Sequence, residues 1–164
     1  MKKLAIVMLS LGLLIGLAGV ANAAPYAFED MIDEWGALGV DAAWIGQNHP
    51  LEYTHDINDQ VNFAAGDLVT EAWLELDFTN DSTDDYGSRF FGLIRWDFRE
   101  YASYGFDGSG WQAIGEVDDG QYDLVVNIDW LNDDGMLDVA LSVSNPLGTA
   151  TAWLDHSRLY GQAE

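Results

Sequence analysis

The sequence predicts an all-β fold: an antiparallel β-sandwich or jelly roll of about seven or eight strands, with a short N-terminal helix. Two observations support this prediction. After Trp44, apolar and polar residues alternate along several short segments, as they do in strands with one buried face. Turn sequences rich in Asp, Asn and Gly separate these segments, namely NDSTDDYGS, DGSG, DDGQ, NDDG and NPLG.

The first 23 residues predict a signal peptide that is not part of this fold. Lys2 and Lys3 precede an uncharged apolar run over residues 4–20, and Ala-Asn-Ala at 21–23 fits a cleavage site. Cleavage leaves residues 24–164 as a single domain with room for one core. An uncleaved anchor is the alternative. We therefore expect a secreted protein, extracellular or periplasmic.

The composition limits the partners. The chain has 28 acidic and six basic residues, a net charge of −22, and no cysteine for a disulfide or a lipid anchor. Nucleic acids and anionic membrane surfaces attract basic proteins, so we expect no nucleic-acid partner and no membrane contact after signal cleavage. A cation that binds only the folded chain would relieve the self-repulsion. The alternative is that surface acid only keeps the protein soluble.

The predicted elements follow in chain order. Residues 26–38 place apolar side chains at helical spacing and predict the short helix. Residues 89–98, apolar on both faces, predict a central strand, and residues 111–117 a weaker one. A hairpin turn is predicted at 132–135, with Gly135 at positive φ. Alternating apolar residues predict four inward rows: Ala72, Leu74, Leu76 and Phe78; Tyr122, Leu124, Val126, Ile128 and Trp130; Leu137, Val139, Leu141 and Val143; Ala150, Ala152 and Leu154.

The aspartates of the turns predict a calcium site. In an antiparallel sandwich, successive loops alternate between two ends, and carboxylates gather at both. Ca²⁺ takes six to eight oxygen ligands with loose geometry. The alternative is that these aspartates only bond their own turns. One end collects Asp59, Asp67, Asp107, Asp133 and Asp134. The other end, our candidate for Ca²⁺, collects Asp81, Asp84, Asp85, Asp118 and Asp119.

Two histidines lie at strand ends. His55 ends the first clear strand and His156 ends the last, so the two rings lie side by side if those strands pair. No spacing typical of a transition-metal site occurs among the histidines. We therefore interpret His55, Asp56 and His156 as structural polar residues, with each ring bonded to a neighbouring carboxylate.

Exposed tryptophans suggest a second ligand class. Trp73 shares a strand face with two acids, and Trp111 lies in a turn-rich segment. An exposed indole beside carboxylates can stack on a sugar ring, although packing is the alternative reading. Catalysis has little support, because Ser109 lies in a turn without the G-x-S-x-G motif, and no acid pair stands out for glycoside hydrolysis.

Four ordered motifs carry a family resemblance: YTHDIND, GDLVTEAWLELDFTND followed by DD, LNDDGMLDVAL and LDHSRLYG. Residues 51–161 resemble bacterial exported β-sandwich domains common among proteins with a Pro-Glu-Pro C-terminal sorting signal (PEP-CTERM proteins). The resemblance implies a secreted or cell-surface location and no settled activity. The chain lacks the sorting motif itself, which favours free secretion or retention by a partner. The matching positions are Thr54, His55, Asp56, Asp84, Asp85, Ser157 and Leu159.

We therefore expect an exported, non-enzymatic β-sandwich that binds Ca²⁺ and serves as an extracellular matrix, adhesion or surface component. Its partners would be polysaccharides or other matrix proteins. The alternative is a carbohydrate-binding module that uses Trp73 and Trp111.

Overall fold

The computed structural model describes residues 24–35, 42–79, 99–146 and 150–164. These residues confirm the all-β sandwich, with nine strands rather than seven or eight. The strands are β1 (Tyr26–Ile32), β2 (Ala43–Gly46), β3 (Leu51–Asp56), β4 (Val69–Thr79), β5 (Tyr101–Phe106), β6 (Gln112–Glu116), β7 (Gly120–Val125), β8 (Met136–Ser144) and β9 (Thr151–Ala163). A 3₁₀ turn (Phe63–Ala65) and one helix, α1 (Ile128–Asp134), complete the described part.

All strand pairs are antiparallel and form two sheets. The first sheet has the order β1-β9-β4-β7, and the second has the order β3-β8-β5-β6. Strand β9 is long enough to pair with two short strands along one edge: β2 along its first half and β1 along its second. It is therefore the strand on which most of the first sheet depends.

The core lies between the two sheets and follows the predicted alternation. The inward rows of β4, β8 and the start of β9 are confirmed, since Leu74, Leu76, Leu137 and Leu154 are fully buried. The predicted weak strand at 111–117 is confirmed as β6.

The predicted helix at residues 26–38 is wrong over its described part, because residues 26–32 form β1 and pair with β9. Phe28 and Ile32 are four residues apart, a spacing that fits both a helix and one face of a strand. Met31, which the helix would bury, is instead exposed. Asp30 occupies the inward position between Phe28 and Ile32, and this polar residue hid the alternation.

The predicted inward row from Tyr122 to Trp130 packs against the core along its length, but only its first part is a strand. Strand β7 ends at Val125, and α1 begins after Asn127, whose side chain accepts a hydrogen bond from the Asp129 backbone N–H. The segment at 132–135 is therefore the end of a helix and not a hairpin turn. Gly135 has the predicted positive φ (76°), but this conformation caps the C-terminus of α1.

Several predictions lie outside the described residues: the signal peptide at 1–23, the central strand at 89–98, and the loop with Asp81, Asp84 and Asp85. Among the described residues, no helix is long and apolar enough to cross a membrane.

Candidate functional site

A groove on the solvent-facing side of the second sheet is lined by residues of β3, β5, β8 and the β5–β6 turn, together with Trp111. We call it the Trp111 groove. It has a volume of about 530 Å³ and combines one large aromatic ring with several polar groups. Its polar lining includes Glu52 and Thr54 from β3, Asp107 and Ser109 from the β5–β6 turn, and Asp138 from β8.

The sequence FDGS builds the tight turn beside this groove. Asp107 and Gly108 both have positive φ (44° and 69°), which is the conformation of a type I′ hairpin turn and favours Asp-Gly. The Ser109 backbone N–H donates to the Phe106 carbonyl (2.6 Å), and the Ser109 hydroxyl accepts from the Phe106 N–H (3.1 Å). The turn therefore holds Trp111 at the rim.

Hydrogen bonds fix the acids on the groove floor. The Asp138 backbone N–H donates to Asp107 Oδ1 (3.0 Å), and the Asp107 N–H donates to the Asp138 carbonyl (3.0 Å). The Thr54 hydroxyl donates to Asp138 Oδ1 (2.6 Å). Burial raises the pKa of Asp107. The hydrogen bond from the Asp138 backbone lowers this pKa, but the negative charges of Asp138 and Asp134 raise it, and the pKa is raised overall. The groove is thus rigid and rich in acceptors.

A second depression, the acidic cleft, adjoins the groove and shares Asp107 with it. It is about 320 Å³ in volume, and its other lining residues are Asp129, Trp130, Asp133 and Asp134 from α1. Two of these aspartates lie at the C-terminus of α1, whose last turn has no basic residue. The helix dipole is negative there, so a bound cation would be stabilised.

Of the first predicted acid cluster, the structure brings together Asp107, Asp133 and Asp134 in the acidic cleft. Asp67 instead accepts a hydrogen bond from the Tyr26 hydroxyl (2.6 Å). Asp59 does not line the cleft.

Of the residues predicted to bind Ca²⁺, only Asp118 and Asp119 lie in the part of the chain that the structure describes. Both are exposed and lie just before β7, next to the end of β4 where Phe78 pairs with Gly120. Their predicted partners in the 79–88 loop lie outside the described residues.

The two predicted tryptophans differ in environment. The side chain of Trp111 is 56% exposed. Trp73 is half-buried on the outer face of the first sheet, where its ring stacks on Tyr160 (5.7 Å between centroids). The sequence reading missed a third aromatic surface, formed by the exposed cross-strand pair Trp44 and Trp153.

The strands that carry His55 and His156 do not pair, because β3 and β9 belong to different sheets, so the two rings do not lie side by side. His55 faces the interior and is fully buried, while His156 lies on the outer face of the first sheet. Each ring is bonded to a carboxylate, as expected: His55 to Asp30 and His156 to Asp155. Asp56 accepts two hydrogen bonds from Asn58, which lower its pKa.

A buried chain of hydrogen bonds joins the two sheets through His55. Nδ1 of the ring lies 2.8 Å from Asp30 Oδ2, and Nε2 lies 2.9 Å from Ser157 Oγ. The Tyr53 hydroxyl donates to Ser157 Oγ (2.8 Å). Because the Asp30 carboxylate can only accept, Nδ1 carries the proton and Nε2 accepts from Ser157. Both nitrogens of the His55 ring and the hydroxyl groups of Tyr53 and Ser157 then have hydrogen-bond partners.

This arrangement has the residue types and contacts of a Ser-His-Asp triad. Ser157 is fully buried, however, and its oxygen accepts the Tyr53 hydroxyl. A nucleophile needs access to a substrate, so the chain of bonds acts as a structural bridge in this conformation. The sequence analysis did not single out Asp30, and it named Ser157 only as a position of the family resemblance, because nothing in the local pattern pairs residues so far apart with His55.

No protein-family model matches the chain, and no curated protein matches it either. The geometry of the groove, the cleft and the neighbouring surfaces is therefore what supports any inference about function.

Proposed function

We propose that the protein is an exported, non-enzymatic β-sandwich that binds a polysaccharide in the Trp111 groove. The observation that carries the proposal is the highly exposed Trp111 in the lining of a groove that also has several polar side chains. Stacking of apolar sugar C–H groups on an indole face provides affinity, and fixed polar groups select the orientation.

The polar groups suit sugar hydroxyls. Glu52, Asp107 and Asp138 offer carboxylate oxygens, which accept from hydroxyl donors. Thr54 and Ser109 add hydroxyl groups at the same surface. Because mutual hydrogen bonds already hold Asp107, Asp138 and Thr54, little side-chain entropy is lost on binding.

The charge of the groove limits the class of polysaccharide. The lining contains three carboxylates, and the whole chain has a net charge of −22. Anionic chains such as uronates would be repelled at low salt. The favoured ligand is therefore a neutral glycan or one that carries amino groups.

The test uses calorimetric titration with soluble neutral glucans, mannans, amino-sugar oligosaccharides and an anionic uronate. We expect binding to one of the first three classes, weakened at least about tenfold by Trp111→Ala, since an aromatic anchor contributes on the order of 1.4 kcal/mol or more. Trp73→Ala is the matched control, because Trp73 lies on the other sheet. Equal binding by wild type and Trp111→Ala, or no binding to any of these glycans, would exclude the groove as a glycan-binding site.

The acidic cleft supports a second candidate function, the binding of Ca²⁺. The specific observation is that burial, and then the nearby Asp138 and Asp134 carboxylates, raise the pKa of Asp107 beside a helix C-terminus without a basic residue. Oxygen ligands of this kind suit Ca²⁺. Since Asp107 belongs to both depressions, a bound ion would also stiffen the groove.

Calcium is expected to raise the melting temperature by about 3 to 6 °C when its concentration is tenfold above the dissociation constant. Asp133→Asn should remove this shift if the acidic cleft is the site. An Asp118→Asn and Asp119→Asn double variant tests the other end of the sandwich. Loss of the melting-temperature shift in this variant would assign the calcium site to that end. No shift at about 10 mM calcium, with or without chelator, would rule out calcium binding.

A further inference from the structure

We infer that the outer face of the first sheet holds a binding site for a divalent transition-metal ion such as Zn²⁺, with Asp77, Asp155 and His156 as its ligands. Their three donor atoms lie within 4.8 Å of one another. The site lies on the opposite sheet from the Trp111 groove, and the glycan proposal does not depend on it.

A β-bulge brings these ligands together. Asp77 pairs with His156, and the next residue, Phe78, pairs with Leu154, so Asp155 is an extra residue in β9. The inward row shifts from Leu154 to Ser157 across this bulge, which leaves two consecutive side chains, Asp155 and His156, away from the core. Bulges often redirect side chains next to functional sites.

The bulge is held in place by a tryptophan. Trp35 is buried, and its Nε1–H donates to the Asp155 carbonyl (2.7 Å). That hydrogen bond satisfies a backbone group that the irregular ladder leaves without a cross-strand partner. A hydrogen bond from a buried side chain therefore fixes the backbone that carries Asp155 and His156.

The distances between donor atoms suit a shared ion. His156 Nδ1 lies 3.1 Å from Asp155 Oδ2 and 3.7 Å from Asp77 Oδ2. Two ligands at about 2.1 Å from one ion are about 3.0 to 3.4 Å apart in octahedral or tetrahedral geometry. An ion can thus be accommodated with small side-chain movements, and the proton on Nδ1 would leave to solvent.

The surroundings of His156 match those of a metal-binding histidine. Its second ring nitrogen, Nε2, lies 3.3 Å from Glu75 Oε1. Metal-ligating histidines almost always donate their other N–H to a carboxylate, which fixes the tautomer and orients the ring. Glu75 is itself within 3.7 Å of the Arg158 guanidinium. This second carboxylate contact distinguishes the group from a simple cluster of acids.

Charge and burial also favour a divalent ion. The two ligating carboxylates balance its two positive charges, and the Arg158 guanidinium, which pairs with Glu29 at 3.0 Å, also lies 3.7 Å from Glu75. The side chains of His156 and Asp77 are 17% and 25% exposed, so the site is open to an ion but partly shielded from water. An imidazole ligand with two carboxylates favours Zn²⁺ and its first-row neighbours over Ca²⁺, whose ligands are oxygens.

The test is calorimetric titration of the full protein with zinc chloride in about 0.15 M NaCl, where non-specific attraction to acid is screened. We expect one ion per chain. Asp77→Asn and His156→Gln should each weaken binding at least tenfold, and Glu75→Gln by about 10- to 100-fold through loss of orientation. His49→Gln, at an exposed histidine outside the site, is the matched control and should bind zinc as wild type does.

Melting temperatures without metal show which variants are folded. Asp155→Asn changes the most exposed ligand and provides a third test if His156→Gln does not fold. Unchanged zinc affinity in Asp77→Asn and Asp155→Asn would overturn the proposal, as would full displacement of zinc by equimolar calcium. Either result would assign the binding to the acidic surface in general.

Discussion

Gly161→Ala is expected to destabilise the protein by about 3 kcal/mol or more, one of the largest effects of any single methyl group in this chain. A Cβ at Gly161 would overlap the backbone carbonyl oxygen of Glu71 in β4 and approach Phe28 Cζ to 2.7 Å. The phenyl ring is buried, and the carbonyl belongs to the neighbouring strand. The carbonyl cannot move away without separating β4 from β9, and the ring belongs to β1, which pairs with the other edge of β9.

Urea denaturation at neutral pH measures this effect, and Gly110→Ala is the matched control. A Cβ at Gly110 would meet no atom within 4 Å, so its substitution should change the free energy of unfolding by less than about 0.5 kcal/mol. Adding Phe28→Leu to Gly161→Ala should restore only part of the loss, because the clash with the carbonyl remains. Equal stability of the Gly161 and Gly110 variants would contradict the close approach of β4 and β9.

The sequence predicted the regular parts of the fold because their two faces differ in polarity. Leu74 and Leu76 in β4, and Leu137 and Leu141 in β8, alternate with polar residues and are buried as predicted. The sequence also indicated that Gly135 needs positive φ. These features are local, so a short window of residues is sufficient to identify them.

The failures occur where distant residues compensate for a local irregularity. Asp30 is polar and faces inward, which is acceptable only because His55 bonds it from another sheet. The prediction for β9 stopped at Leu154, because the bulge at Asp155 shifts the inward row by one residue. Pairing across the sheet determines both features, and one strand alone does not reveal them.

The site was predicted in the same uneven way. For Trp111, in its turn-rich segment, exposure and packing were both left open, and the structure shows an exposed residue. Asp107, Asp133 and Asp134 were placed at one end of the sandwich by counting loops, and they line one cleft. The ligand set around His156 was not predicted, because its members come from strands 78 residues apart and meet only through the bulge.

His55→Ala is expected to destabilise the protein by about 3 to 5 kcal/mol. The ring is fully buried, so its removal leaves a cavity and deprives the buried Ser157 hydroxyl of its acceptor. Urea denaturation at pH 7.5 measures the loss. His49→Ala, at an exposed histidine, should cost less than about 0.5 kcal/mol. Ser157→Ala should cost about 2 to 3 kcal/mol, because it leaves His55 Nε2 and the Tyr53 hydroxyl without partners.

The same network predicts how stability depends on pH. Burial lowers the pKa of His55 and outweighs the opposing hydrogen bond and charge of Asp30. The unfolded chain therefore takes up a proton near pH 6.5 while the folded chain does not, so stability falls as the pH is lowered below about 6.5. His156 acts in the opposite direction. Burial lowers its pKa, but the hydrogen bonds that the ring donates to the Asp155 and Glu75 carboxylates raise it overall, so its contribution is lost as the pH rises.

The two histidines can be separated by measuring unfolding in a His156→Gln background. There, the free energy of unfolding should decrease between pH 6.5 and 5.5 with a slope of up to about 1.4 kcal/mol per pH unit, the limit for one proton. Adding His55→Ala should remove that slope, since the buried neutral ring is its source. If the slope persists without His55, the bridge from Asp30 to Ser157 does not hold a neutral imidazole between the two sheets. The sandwich would then depend on its apolar core alone at this position.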